Sequence, residues 1–280
     1  LHSLQDSPPS MSEPYLSRWR LRRDGAAIQT PHAQLWPVLT TAGEPAMLKV
    51  SSEAEEQNSH RLLRWWNGDG AARLLAHEGP AILIERARGN SLRQRSIDGD
   101  DDACTTILCQ VLQRLHRPRS APPAELVCLR TWFADLLQPR AMLPPLLEQC
   151  RSLAAALLQE EQEIRPLHGD LHHDNVLDFG ARGWLAIDPK RLIGDRAFDY
   201  TTLFSNPDLC GPGIHVATQP ERFAARLEQV TALTGIERRR LLRWIASSAG
   251  LSAVWFRDDG DPADIDEAVA QMALQALAER

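Results

Sequence analysis

Polar residues near the middle of the chain have the types and spacing that phosphoryl transfer requires. In the segment LHGDLHHDNVL, residues 167–177, Asp170 is followed five residues later by Asn175. Asp188 lies thirteen residues further on, at the end of the segment WLAID. An aspartate and an asparagine on one loop can face the same cleft, one toward a hydroxyl and the other toward a metal ion. Asp188 would add the anionic oxygen ligand that Mg²⁺ prefers.

The histidines of this segment raise the alternative of a metal hydrolase. His168, His172 and His173 stand among aspartates, in an arrangement that superficially resembles a binuclear zinc loop. A zinc site needs further ligands and a second shell that orients them, and the sequence downstream of the segment offers only His215. The residue order is also HxDxHH, whereas such loops have HxHxDH. The hydrolase hypothesis is therefore the weaker one.

The chain contains 31 basic residues, but only Lys49 and Lys190 are lysines. Because a compact ammonium differs chemically from a planar guanidinium, a lysine in such a chain marks a place where arginine does not serve. Lys49 is the candidate for the cation that fixes nucleotide phosphates, and a nearby glutamate could hold it in place. Ser52 and Glu55 form a capping box, so Glu56 is the better candidate for that glutamate. The sequence assigns no role to Lys190.

The elements around Lys49 read as strands and one helix. LWPVLT and AMLKV, separated by the turn-like TAGEP, predict a hairpin whose second strand ends near Lys49. The capping box predicts a helix over residues 53–66, stopped by Gly68. ARLLAHEG and AILIERA predict another strand pair, and the polar break RGNSL follows it. This break, around residues 87–90, is where we place the boundary between two lobes.

The rest of the chain is mostly helical, apart from NVLDFGARGWLAIDP, which predicts two short strands joined by a turn. Apolar residues recur at helical spacing in TILCQVLQRLH and in five later segments. These segments are 124–138, 142–163, 220–233, 236–256 and 264–279. We therefore predict an α+β fold with a small β-rich N-terminal lobe and a larger, mainly helical C-terminal lobe. The predicted parts are a disordered leader over residues 1–15, the nucleotide-binding lobe over 16–88 and the catalytic and acceptor-binding lobe over 89–280.

Composition and charge argue against several classes of protein. The 280 residues are 43% apolar and 24% charged, which is typical of a globular protein. No apolar run approaches the roughly 20 residues that span a bilayer. The net charge of −6 speaks against nucleic-acid binding. Basic and acidic residues are equal in number over the first hundred residues, so the rest of the chain carries the negative charge, which would suit a small cationic substrate. Five cysteines without CxxC pairing indicate free thiols in a reducing cytoplasm.

These motifs resemble those of a known family. HGDLHHDN followed by AIDP is similar to the catalytic and metal-binding motifs of the aminoglycoside phosphotransferase family, which has a protein-kinase-like fold. The likeness extends from about Ala27 over nearly the whole chain. RWWNGDGAARLL, LHGDLHHDNVL, RGWLAIDP and GLSAVW are particularly similar to the branch of streptomycin 6-phosphotransferases and aminoglycoside/hydroxyurea resistance kinases.

The resemblance implies a kinase that uses ATP or GTP with Mg²⁺. It assigns Asp170 as the catalytic base, Asn175 and Asp188 as magnesium ligands, and Lys49, paired with Glu56, as the contact to the α- and β-phosphates. It also implies a hinge over residues 84–87, where backbone groups of Glu85 and Ala87 meet the adenine. One departure concerns the nucleotide-covering loop near QTPHAQLW, which contains no glycine, the residue that permits the closest approach of a backbone to phosphate.

The acceptor is less well defined by the sequence. The resemblance implies an aminoglycoside such as streptomycin, a small cationic substrate that bears hydroxyls. His173 is a candidate on the catalytic loop, and Asp258 and Asp259 could form a cation-attracting wall in the acidic segment RDDGDPADIDE. Two alternatives stay open: a kinase of the same fold with a metabolic or protein acceptor, and a nucleotide-binding pseudokinase module. A membrane or nucleic-acid partner is not expected.

Overall fold

The computed structural model describes residues 12–52, 58–140 and 142–279, in which two lobes meet at a cleft. The strands are β1 (Arg22–Arg23), β2 (Ile28–Gln29), β3 (Ala33–Leu39), β4 (Pro45–Ser51), β5 (Leu74–Glu78), β6 (Ala81–Glu85), β7 (Val127–Cys128), β8 (Ile164–Leu167), β9 (Val176–Asp178), β10 (Trp184–Ala186) and β11 (Leu192–Asp195). The helices are α1 (Glu13–Arg18), α2 (His60–Trp66), α3 (Leu92–Ile97), α4 (Asp101–Leu115), α5 (Leu129–Trp132), α6 (Ala134–Leu137), α7 (Pro145–Leu157), α8 (Pro220–Thr234), α9 (Arg238–Asp259) and α10 (Asp264–Ala278).

The small lobe is an antiparallel sheet in the order β1-β3-β4-β6-β5, with β2 paired to β3. Side chains alternate between the two faces of each strand. In β4, Ala46, Leu48 and Val50 are buried in the lobe's own core, where α1 contributes Leu16. Lys49 therefore points to the opposite face of the sheet, toward the larger lobe.

Two predicted boundaries in this lobe differ from the structure. The boundary at residue 16 falls inside α1, because residues 13–15 form its first turn and the helix packs Leu16 against the sheet. Within the helix predicted over 53–66, residues 58 and 59 form a turn and α2 begins only at His60. Residues 53–57, which include the capping glutamate and Glu56, lie outside the described residues.

The large lobe is built around α9, a 22-residue helix that packs against α7 and α10. Its first turn is capped by Glu237, whose carboxylate accepts from the backbone N–H groups of Arg239 and Arg240. Its last turn ends at Gly260, which adopts the left-handed conformation with φ of 81°. The apolar periodicity predicted helices close to α8, α9 and α10, and it was correct there.

The segments around the functional loops are more irregular than predicted. Residues 124–138 were expected to form one helix, but they contain β7 followed by the short helices α5 and α6. The lobe contains a three-stranded sheet in the order β7-β11-β8 and, as a separate sheet, the predicted hairpin of β9 and β10. The candidate catalytic loop joins β8 to β9, and Asp188 lies between β10 and β11. Both loops thus emerge from these two small sheets.

All five cysteines are free thiols, as expected. Burial raises the pKa of the Cys109 and Cys150 thiols to about 12, so both are protonated at neutral pH. In the part of the chain described here, no helix is both long enough and apolar enough to cross a membrane.

Candidate active site

The candidate catalytic loop is held in place by Asp199, a buried carboxylate. Its two oxygens accept from the backbone N–H groups of His168, at 2.8 Å, and Gly169, at 2.6 Å. His116 Nε2 lies 2.8 Å from the same carboxylate. His168 itself is fully buried and its Nε2 lies 2.8 Å from the carbonyl oxygen of Ile187. The loop before Asp170 is therefore fixed by charge-assisted hydrogen bonds.

Gly169 is required by the local backbone. Its φ is 81°, in the left-handed region that side chains rarely adopt. A Cβ atom built at this position would also lie 2.7 Å from Cδ1 of Leu192. Only glycine lets the chain turn here, and the turn presents the Asp170 carboxylate to the cleft.

Asn175 and Asp188 are brought together by the β9–β10 hairpin. The backbone N–H of Ile187 donates to the carbonyl of Asn175 at 2.9 Å, which places Asp188 one residue away. Asn175 Nδ2 donates to the backbone carbonyl of Asp170 at 2.8 Å, so its amide oxygen points elsewhere and can serve as a metal ligand. An amide oxygen and a carboxylate are suitable for Mg²⁺, which takes few protein ligands and keeps several waters.

The described residues contain no group of three or more histidine, cysteine, aspartate or glutamate side chains that could hold a metal ion. A zinc hydrolase requires such a group. The two oxygen ligands at Asn175 and Asp188 are compatible with magnesium held jointly with phosphates.

Lys49 reaches across the cleft from β4 and forms an ion pair with Asp188. Its Nζ lies 2.5 Å from Oδ1 of the aspartate. Burial acts to raise the pKa of Asp188, but Lys49, together with Lys190 and His168, outweighs it, and the pKa lies below its usual value. Lys49, from the small lobe, is therefore in direct contact with the candidate metal ligand Asp188, from the large lobe. The predicted partner of Lys49, Glu56, lies outside the described residues.

Lys190, to which the sequence gave no role, stands beside Asp170. Its Nζ lies 4.0 Å from Oδ2 of the aspartate. Its backbone N–H donates to the carbonyl of His168 at 2.7 Å, which ties the loop after Asp188 to the catalytic loop. The scarcity of lysine was the one sequence signal that marked this residue.

Asp170 and Lys190 open onto a cavity of about 260 Å³ in the large lobe. Trp132 and Trp255 form one wall, with their rings edge to face and their centroids 5.3 Å apart. Polar side chains from residues 201–206, α9 and α10 complete the lining. These are Thr201, Thr202, Ser205, Asn206, Ser248, Ser252 and Asp266.

Asp266 is a buried carboxylate in this cavity, exposed by only 1%. It accepts hydrogen bonds from Ser205 Oγ, at 2.8 Å, and Ser252 Oγ, at 2.5 Å. Within residues 12–52, 58–140 and 142–279, no basic side chain forms an ion pair with it. Burial raises its pKa to about 6. The cavity thus contains an ionisable acid with two neutral partners.

The three predicted acceptor contacts are not part of this cavity. His173 is fully buried next to Asp101, with Nε2 3.8 Å from its carboxylate; because burial lowers its pKa to about 4, the histidine is neutral. Asp258 forms a bidentate ion pair with Arg140, with both contacts at 2.7 Å, and Asp259 is exposed at the end of α9. Asp266 is the acidic residue of this segment that reaches the cavity.

The hinge residues adjoin the last strand of the small lobe. The Glu85 side chain is engaged, since it accepts from the backbone N–H of Arg73 at 2.6 Å and also from Arg182. The backbone N–H of Glu85 also donates to the carbonyl of Arg73, at 3.0 Å, so its backbone carbonyl is the group that could meet a nucleotide. The Ala87 side chain packs against the large core, and its N–H donates to no backbone carbonyl of the described residues. The hinge assignment stays a prediction.

The glycine-free loop is a tight turn between β2 and β3. Thr30 closes it, since its backbone N–H donates to the Ala33 carbonyl and its hydroxyl accepts from the Ala33 N–H at 3.0 Å. Ser52 adds a hydrogen bond from its hydroxyl to the carbonyl of His32, at 3.0 Å. The backbone amide of Ala33 is therefore occupied and is not free to contact phosphate.

The anchoring role of Asp199 can be tested by changing it to asparagine. The amide can accept one of the two backbone hydrogen bonds, but its NH₂ group faces a donor. We expect a loss of roughly 2–4 kcal/mol in the free energy of unfolding. The displaced loop should lower kcat of the folded protein at least about tenfold.

Asp208→Asn is a matched control, since Asp208 also accepts backbone hydrogen bonds, from Val216 and Ala217, outside the catalytic loop. Denaturant unfolding and steady-state kinetics of both variants make the comparison. The control should lose stability and keep its kcat. An unchanged kcat in Asp199→Asn would show that the loop needs no such anchor.

Comparisons with known proteins agree with this architecture. The family model described as aminoglycoside/hydroxyurea antibiotic resistance kinase matches residues 18–260. Among curated proteins, a streptomycin 3''-kinase of Klebsiella pneumoniae is 48% identical over 95% of this chain and 99% of that protein. A streptomycin 6-kinase of Streptomyces glaucescens is 34% identical over 96% of this chain and 89% of that protein.

A solved structure with the same fold is a thermostable mutant of aminoglycoside phosphotransferase APH(4)-Ia, in a ternary complex with AMP-PNP and hygromycin B. It superposes with a TM-score of 0.66 at 12% identity, over 96% of this chain and 99% of that chain. The likeness confirms the predicted bilobal, protein-kinase-like fold.

Proposed function

The chain belongs to the aminoglycoside/hydroxyurea antibiotic resistance kinase family, and from this we propose that it transfers the γ-phosphoryl group of ATP to a hydroxyl of streptomycin. The observation that carries the proposal is the position of Asp170. Its carboxylate lines the cavity that contains Asp266 and lies 4.0 Å from Lys190, two residues after the Asp188 that pairs with Lys49. A phosphate donor on one side and a cationic alcohol on the other would meet at this residue.

The donor side has ligands for phosphate and metal. Lys49 would bind the nucleotide phosphates, and Asn175 and Asp188 would hold Mg²⁺, which neutralises phosphate charge when bound. Lys49 and Asp188 neutralise each other in the structure, and each would gain a partner of opposite charge from the metal–nucleotide complex. The backbone of Glu85 and Ala87 would meet the adenine; GTP could use the same phosphate ligands.

Asp170 would act on the acceptor hydroxyl. The carboxylate accepts the hydroxyl's hydrogen bond, orients its oxygen toward the γ-phosphorus and takes the proton as the new O–P bond forms. Positioning of this kind, with proton transfer, typically contributes 10²–10⁴-fold to the rate. His172 Nε2 lies 4.0 Å from the same carboxylate, and we assign it a supporting position only.

On the acceptor side, we assign the cation-binding role to Asp266. A guanidinium or ammonium group entering the cavity would give this carboxylate an ionic partner, and the wall of Trp132 and Trp255 would cover the apolar face of a ring. Streptomycin carries guanidinium groups and hydroxyls, so it has both features that the cavity can recognise. The 48% identity to a streptomycin 3''-kinase favours the 3''-hydroxyl over the 6-hydroxyl.

Asp266→Asn tests this assignment through both binding and stability. Without the carboxylate, KM for streptomycin should rise roughly 10–100-fold, as for a lost charged hydrogen bond, while KM for ATP stays unchanged. Because the pKa of Asp266 is raised to about 6, the folded protein holds this proton more tightly than the unfolded chain. Ionisation therefore costs stability as pH rises toward 6, by roughly 3 kcal/mol at pH 7.

The variant should accordingly be more stable than the wild type at pH 7 and similar to it near pH 4. In the wild type, streptomycin binding should weaken below pH 6, as Asp266 becomes protonated. Asp264→Asn is the matched control, because Asp264 is exposed in the same first turn of α10. If Asp266→Asn changed neither KM nor stability, the carboxylate would have no part in acceptor binding.

The function itself is tested with purified protein, [γ-³²P]ATP, Mg²⁺ and a panel of aminoglycosides, hydroxyurea, and sugar and amino alcohols. We expect transfer to streptomycin, and ³¹P–¹H NMR of the product distinguishes the 3'' from the 6 position. Transfer to a different alcohol alone would favour a metabolic acceptor. Nucleotide-dependent thermal stabilisation without transfer to any acceptor would identify a nucleotide-binding module. The proposed place of action is the cytoplasm, which supplies ATP.

A further inference from the structure

We infer that Lys190 is a second catalytic cation, which contacts the transferring γ-phosphoryl group while Lys49 holds the rest of the phosphate chain. The inference rests on the proposed function, since it assigns a residue to the same phosphoryl transfer. Both lysines of the chain form ion pairs with carboxylates of the candidate site: Lys49 with Asp188 at 2.5 Å, and Lys190 with Asp170 at 4.0 Å.

The backbone around Lys190 holds the side chain beside Asp170. Its N–H donates to the carbonyl of His168 at 2.7 Å. Asp188 and Arg191, on either side of it, have φ values of 60° and 53°, in the left-handed region. Residues other than glycine adopt this region at an energetic cost, so the surrounding structure must hold the backbone in this conformation. The two turns bring the lysine back toward the catalytic loop.

The charges of the site indicate which substrate Lys190 contacts. An ionised Asp170 would repel the oxygens of the γ-phosphate during their closest approach, and a cation beside it offsets this repulsion. Burial acts to raise the pKa of Asp188, whereas Lys49 and then Lys190 lower it, so the Lys190 ammonium acts on both carboxylates. A cationic acceptor, in contrast, would be repelled by Lys190 and attracted to Asp266.

During the chemical step, the Lys190 ammonium would contact the transferring phosphoryl group, which carries the negative charge. The acceptor hydroxyl oxygen forms a bond to the γ-phosphorus, the bond from that phosphorus to the bridging oxygen breaks, and the electron pair leaves on ADP. The hydroxyl proton goes to Asp170. In a loose transition state the three oxygens of the transferring group carry negative charge, and Lys190 Nζ can donate to one of them.

Lys190→Met tests the inference, since methionine keeps the length of the side chain and removes its charge. We expect kcat at saturating substrates to fall about 10²–10³-fold, as when one transition-state donor is lost. The dissociation constant of ATP should change less than about threefold. Lys190→Arg should recover only part of the rate, because a planar guanidinium does not replace a compact ammonium.

A transition-state analogue separates contact with the phosphoryl group from a structural effect. The affinity for ADP with aluminium fluoride, which mimics the transferring group, should fall by about the same factor as kcat, while the affinity for ADP stays unchanged. Arg191→Met is the matched control, since it removes the neighbouring positive charge. Lys49→Met should instead weaken the binding of ATP and ADP themselves.

The outcomes distinguish this inference from the proposed function. If the wild type phosphorylates streptomycin and Lys190→Met keeps its kcat and its affinity for the analogue, the role of Lys190 is wrong and the function stands. If the wild type phosphorylates no acceptor but Lys190→Met loses analogue affinity and background ATP hydrolysis, the acceptor is wrong and the inference stands. A wild type that binds neither ATP nor the analogue would overturn both.

Discussion

Asp170→Ala should lower kcat for phosphate transfer about 10³–10⁴-fold, with little change in ATP binding or in the fold. The carboxylate is one-third exposed and opens onto the cavity, so its removal leaves no buried group without a partner. The loop keeps its shape because Asp199 holds the backbone N–H groups of His168 and Gly169. The variant therefore lacks only the group that orients the acceptor hydroxyl and accepts its proton.

Single-turnover and steady-state assays with streptomycin would measure this loss, and a thermal shift with Mg-ATP would confirm nucleotide binding. Asp170→Asn should be almost as impaired, since an amide can accept a hydrogen bond but does not take the proton. Asp174→Asn is the matched control on the same loop; Asp174 accepts from the Ser91 hydroxyl at 2.8 Å and is paired with Arg93. Near-normal turnover of Asp170→Ala with streptomycin would refute its role.

Asp188→Ala should have the second largest effect, because it removes a metal ligand and a partner of Lys49 together. We expect kcat to fall at least about 10³-fold, since both charge neutralisation and alignment of the phosphates depend on this residue. The wild type should gain about 2.7 kcal/mol of stability when Mg-ATP is present at 100 times its dissociation constant. In the variant, Mg²⁺ should add nothing to the stabilisation by ATP alone.

Thermal unfolding with ATP, in Mg²⁺ or in EDTA, would test this loss of metal dependence. Asp178→Ala, at the other end of the hairpin, is the control; Asp178 caps the turn through the N–H of Gly180 at 2.7 Å. The lowered pKa of Asp188 means that its ion pair stabilises the fold above the unfolded pKa, and that this contribution is lost as pH falls through the folded pKa. A variant that retained full Mg²⁺ dependence would exclude Asp188 as a ligand.

The candidate phosphate and metal site could be predicted from the sequence because its parts lie on short, regular pieces of chain. Asp170 and Asn175 share one loop, and a hairpin of three-residue strands returns the chain so that Asp188 adjoins Asn175. The side-chain alternation of β4 directs Lys49 to the cleft whatever the details of packing. Local geometry sufficed for these residues, and their roles remain predictions for the experiments above.

The irregular parts of the large lobe could not be predicted in the same way. β7 has two residues, and β8 and β11 have four each, too short for a period of two to be recognised. Their pairing depends on partners between 25 and 65 residues away in the sequence. Such strands form because the surrounding core supplies partners for them, and their own sequence carries little signal.

The acceptor cavity was decided by tertiary structure alone. The sequence indicated an acidic segment before the last helix and favoured Asp258 and Asp259, but it could not show that Arg140 pairs with Asp258. The position of Asp266 on α10 buries its side chain beside Ser205 and Ser252, which come from separate elements. A side chain's charge is fixed by its residue type. Which partner meets that charge depends on how distant helices pack, and here packing left the carboxylate of Asp266 with two hydroxyls and a cavity.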